Sequence, residues 1–101
     1  MVFAHADDIS YQGKIFYKTI YFDGDDSFFI EKNLKPFDKV LVRKNKKDIW
    51  KPHFFREYNN FFCVFCIGDE NYYDECISYE GNENLAFTNN DFEIEGDIID
   101  D

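Results

Sequence analysis

The chain has 101 residues and a formal net charge of −10, from 21 Asp and Glu against 11 Lys and Arg. That length suits one hydrophobic core. A composition 45% hydrophobic and 21% aromatic excludes an acidic disordered chain, and no apolar run is long enough for a membrane-spanning helix.

Phe, Tyr, Ile and Val dominate the apolar set, while Ala and Leu number three each, which predicts a mainly β protein. Residues 1–10 show neither the basic region nor the apolar run of a signal peptide, so a cytoplasmic location is expected. Tyr11 to Phe22 reads as a strand, Asp23-Gly24-Asp25-Asp26 as a turn, and Ser27 to Glu31 as its partner, giving an N-terminal hairpin. Pro36 marks a break. Asp38 to Lys44 follows as a strand, with Val40 and Val42 on one face and Lys39, Leu41 and Arg43 on the other. Ile49 to Arg56 is a strand that Pro52 confines to an edge or bulge. Phe61 to Ile67 is the most apolar strand, Tyr72 to Tyr79 a further one, and Gly81 to Thr88 a helical turn or small strand.

Five short elements between residues 37 and 88 predict an SH3-like small, partly open barrel. Residues 1–33 form the added hairpin, 34–88 the barrel and 89–101 an acidic tail. Phe37 and Val40 are expected to begin a barrel strand and Trp50 to close the barrel. Tyr79 is expected to bury its ring and bond its hydroxyl to backbone.

Charge falls in blocks. Residues 31–56 hold nine bases and three acids, whereas residues 69–101 hold twelve acids and no Lys or Arg. Such a layout repels nucleic acid and anionic lipid and suits a basic protein partner.

The segments Lys35-Pro36-Phe37-Asp38-Lys39-Val40-Leu41-Val42-Arg43, Trp50, Cys76-Ile77 and Tyr79-Glu80-Gly81-Asn82-Glu83 carry a resemblance. Over residues 34–88 the chain resembles a group of small proteins of phages and mobile elements of gut Bacteroidetes. The resemblance implies a phage setting and no particular activity. It also implies Leu-Leu-Gly-Thr where this chain has Leu85-Ala86-Phe87-Thr88.

Cys63, Cys66 and Cys76 are read as free thiols. Cys63 and Cys66, three apart on a strand, should point to opposite faces and not converge on a metal. His53 is placed on a solvated edge, and Asp23 to Asp26 lack the ligand order of an EF-hand. Lys44, Lys46, Lys47 and Lys51 around Trp50 form the one basic-aromatic cluster that a base could stack on. No cofactor and no catalytic group is expected.

The expected function is therefore a non-enzymatic, protein-binding inhibitor, a phage counter-defence factor whose acidic surface mimics nucleic acid toward a basic host or defence protein. Its carboxylates would be Asp69, Glu70, Asp74, Glu75, Glu80, Glu83, Asp91, Glu93, Glu95 and Asp97. Phe87, Phe92 and Ile94 would be its apolar anchors. The alternative is an SH3-like adaptor or self-assembling homo-oligomer with Phe54, Phe55 and Tyr58 as its contact.

Overall fold

A computed structural model describes residues 4–11, 13–21, 27–45, 47–59, 63–90 and 92. Its strands are β1 (Ala4–Tyr11), β2 (Lys14–Tyr21), β3 (Ser27–Glu31), β4 (Lys39–Arg43), β5 (Lys51–Asn59), β6 (Cys63–Cys66), β7 (Tyr72–Tyr73) and β8 (Glu75–Ser78). A single 3₁₀ turn, Glu83–Leu85, follows, and there is no α-helix among the described residues. The chain is mainly β, as its β-branched and aromatic composition predicts.

All eight strands join one open sheet in the order β1-β2-β3-β8-β4-β5-β6-β7. The expected β2–β3 pairing is present, with Phe16 opposite Glu31 and Lys18 opposite Phe29. The expected strand from Tyr11 to Phe22 is instead interrupted. Gly13, at φ 77°, turns the chain, so that β1 becomes a separate strand paired along β2. The expected turn at Asp23 to Asp26 lies outside the described residues, as do Phe61 and Phe62 at the head of the predicted apolar strand. The hairpin reaches the other strands through a parallel pairing of β3 with β8, at Ile30 opposite Cys76. Pro52 stands opposite Leu41 of β4, on the part of β5 that β6 does not reach; it needs no second ladder there.

The sheet buries both faces. On one face Ile30, Val40, Val42 and Cys76 pack with Phe55, Val64, Cys66 and Tyr73. Contact of β6 with β8, across the intervening β4 and β5, requires the sheet to curl strongly. On the other face Ile9, Phe16, Phe29, Leu41 and Ile77 pack with Trp50, Leu85 and Phe92. That second layer corrects several expectations. Leu41 and Arg43 are as buried as Val40 and Val42. Trp50 belongs to the outer layer, not to the inner core it was expected to close.

Residues 86–90 and Phe92 cover this outer face. Trp50 donates its main-chain N–H to Thr88 and accepts from Phe87, both at 2.8 Å. Its indole Nε1 donates to the Asn90 carbonyl at 2.8 Å. Phe92 then inserts among Tyr11, Phe16 and Phe29, with ring centroids 6.0, 5.4 and 5.8 Å away. Burying an aromatic ring this way contributes about 1.5–3 kcal/mol.

Other local expectations change as well. The strand predicted over Tyr72 to Tyr79 breaks at Asp74 into β7 and β8. Phe37 does not begin a strand; it sits before β4 at φ 77° and is 73% exposed. Tyr79 is half-buried, its ring capped by Lys39 Nζ at 4.0 Å.

Candidate functional site

Across β8, β4 and β5 the outer face carries three successive rows of directly opposed residues. The buried end row is Glu75, Arg43 and Trp50. Arg43 Nε donates to Glu75 Oε1 at 2.8 Å, and its guanidinium lies 4.2 Å from the Trp50 ring centre. All three side chains are sealed from solvent, and Arg43 also donates to the carbonyls of Asn89 and Asn90. The middle row is Ile77, Leu41 and Pro52. The open end row is Tyr79, Lys39 and Phe54, set by the Tyr79-to-Lys39 main-chain bond and the Lys39–Phe54 pairing.

Glu75 is thus no surface carboxylate, contrary to the sequence expectation. Its second oxygen accepts the main-chain N–H of Phe29 at 3.2 Å, which makes it a structural group of the core. Phe92, expected as an exposed anchor, is buried. Asp91, Glu93, Glu95, Asp97 and Ile94 lie outside the described residues.

The remaining predicted acids divide into held and open groups. Asp69 accepts from the Tyr73 hydroxyl and from the main-chain and side-chain nitrogens of Asn71, with His53 Nε2 at 3.5 Å. Those bonds, Tyr73's first, hold its carboxyl below the usual range. His53 is accordingly half-buried against Asp69 and Tyr73 rather than on a free edge. Asp74 is half-buried, and burial followed by the nearby Glu75 charge pushes its pKa up. Glu70, Glu80 and Glu83 are exposed. Glu83 accepts the Gly81 N–H, and main-chain hydrogen bonding lowers its pKa.

Beside the open end row lies a concavity of about 490 Å³, lined by Asp38, Lys39, Ser78, Tyr79, Glu80 and Glu83. Neither Asp38, Glu80 nor Glu83 is in an ion pair with any described residue. Asp38 and Lys39 were legible only as strand residues, because the fold alone brings residues 38–39 beside 78–83. Phe87, expected as an anchor, is 70% exposed at φ 63°. Such a backbone favours glycine.

Charge accounting sharpens the picture. The described residues hold twelve acids and ten bases, so nine acids and one lysine lie elsewhere in the chain. The basic-aromatic cluster changes character too. Trp50 is inaccessible to a stacking base, and Lys44 Nζ lies 5.1 Å from the ring centre of half-exposed Tyr72. Of the alternative contact trio, Phe55 is buried, Tyr58 is half-buried and Phe54 is exposed.

Cys66 and Cys76 share the inner core, and burial pushes the Cys66 thiol up to about 11. No helix of the described residues is long and apolar enough to cross a membrane. Compared with protein-family models, curated proteins and solved structures, the chain finds no match in any of the three.

Proposed function

We propose that this protein is a non-enzymatic, protein-binding inhibitor whose acidic surface engages a basic partner in place of a nucleic-acid backbone. The observation that carries this reading is a set of exposed carboxylates, Glu70, Glu80 and Glu83, none in an ion pair with a described residue. Arg43 is enclosed in the core against Glu75, and Arg56 pairs with its neighbour Glu57. Phe92 anchors the chain just before residues 93–101, which hold five acids and no base. A local excess of exposed carboxylates speeds encounter with a cationic groove and makes binding fall with salt.

The contact of β6 with β8 supports reading residues 34–88 as an SH3-like, partly open barrel, extended by the N-terminal strands of residues 1–33. With the phage resemblance, the proposed setting is a host cytoplasm, and the partner a basic host or defence protein.

The test is affinity capture from a bacterial lysate at low and moderate salt, with eluted proteins identified by mass. Basic nucleic-acid-binding proteins, released by added DNA and lost on Glu70→Lys/Glu80→Lys/Glu83→Lys, are the expected result. Capture of no basic protein at either salt rejects the reading. Exposed Phe37 and Phe54 support a second reading, a self-assembling module; a salt-insensitive oligomer in light scattering would favour it.

A further inference from the structure

We infer that the open end row of the sheet is the docking point for a cationic peptide segment, an arginine or lysine with an apolar side chain on the same face. This deepens the function proposed above and rests on it. The sheet face there is unpartnered: Phe54, half-exposed, stands directly across from Lys39, which stands across from Tyr79. Phe37 joins the same corner, donating its N–H to the Phe55 carbonyl at 2.8 Å while its side chain remains 73% exposed. Two exposed aromatic side chains whose neighbours in sequence or register line the concavity mark a contact surface more than a single exposed ring does.

Charge complementarity selects the occupant. Three carboxylates, Asp38, Glu80 and Glu83, line the concavity against one ammonium. That ammonium is held over the Tyr79 ring at 4.0 Å. Neighbouring strands lie about 4.8 Å apart, so Tyr79 to Phe54 covers about 10 Å of sheet. Side chains on one face of an extended peptide recur about every 7 Å, so a cation at the carboxylates and an apolar side chain farther along the same face both fall on this row.

The test uses the full chain, isotope-labelled, titrated with a peptide of alternating Arg and Leu and with its Glu–Leu counterpart. The expected result is salt-sensitive amide shifts centred on Asp38, Lys39, Phe54, Tyr79, Glu80 and Glu83 with the basic peptide alone. Phe54→Ser and Glu80→Gln/Glu83→Gln, both at exposed positions, should each weaken binding about tenfold while leaving the dispersion of the other signals intact. Shifts centred elsewhere, or affinities unmoved by these changes, overturn this site and leave the acidic-surface reading standing. Concentration-dependent shifts at the same residues without peptide overturn it in favour of self-association. Absence of binding by the basic peptide at low salt overturns it as well, and the lysate capture then decides separately whether any basic partner exists.

Discussion

Glu31 on β3 and Glu75 on β8 reach across their shared junction in opposite directions. Glu75 takes the main-chain N–H of Phe29, and Glu31 takes the main-chain N–H and hydroxyl of Ser78, at 3.0 and 2.6 Å. Parallel pairing here consists of Ile30 opposite Cys76 alone. The two carboxylates therefore stand in for ladder hydrogen bonds on either side of that pair, satisfying donors that burial would otherwise leave open.

Replacing Glu75 by Ala should be severe, since it leaves a fully buried guanidinium without its carboxylate. A loss of about 3–5 kcal/mol is expected. Glu31→Ala, which strips two donors at Ser78, should cost about 1–3 kcal/mol per orphaned group. Urea unfolding followed by circular dichroism measures both. Loss of under about 1 kcal/mol for Glu75→Ala would show that the Arg43 site relaxes to water.

Phe92 and Phe87 should respond oppositely to truncation. Phe92→Ala empties a ring-lined site and should lose about 3–5 kcal/mol. Phe87→Gly removes an exposed ring from a left-handed backbone and should gain up to about 1 kcal/mol. Thermal unfolding of the two variants separates core from surface in one experiment.

Asp69 predicts a specific acid limb. Its folded pKa is depressed, so its contribution is present above the unfolded value of about 3.9 and is lost as pH falls through the lower folded value. Asp69→Asn should be less stable than the parent at neutral pH and converge with it in acid. Asp74, whose folded pKa is raised, has the opposite sign. Asp74→Asn should gain at neutral pH and lose that advantage as acid protonates the parent. Urea midpoints between pH 7 and about pH 3 check both signs.

Burial should also make the thiols unequal. Cys66 is pushed up to about 11 and Cys76 well above the usual range, while Cys63 is only half-buried. Ellman's reagent at neutral pH should reach Cys63 in the native protein, and Cys66 and Cys76 only in urea. Rapid native reaction at Cys76 would contradict its place in the core.

The β class, the β2–β3 hairpin, the edge position of Pro52 and the helical turn within Gly81 to Thr88 were legible because each depends on local chemistry. β1 was hidden by Asp7 and Asp8, which weaken its apolar pattern; in the sheet Asp8 bonds Lys32 at 2.9 Å. Burial at Arg43, Trp50 and Glu75 was hidden for a different reason. Alternation along β4 shows which residues share a face but not what covers it. The cover comes from residues some forty-five positions further on, whose Phe92 reads as an isolated ring in an acidic tail. The concavity was illegible likewise, since its two sides meet only through the β4–β8 pairing.

A joint with one bridge pair gives the molecule an order of disassembly. Three strands lie on one side of the β3–β8 contact and five on the other, each group stitched internally by longer antiparallel ladders. Amide protons of Phe29 and Ser78 should therefore exchange with solvent together and ahead of those in β4, as the sheet parts along this seam before either portion melts.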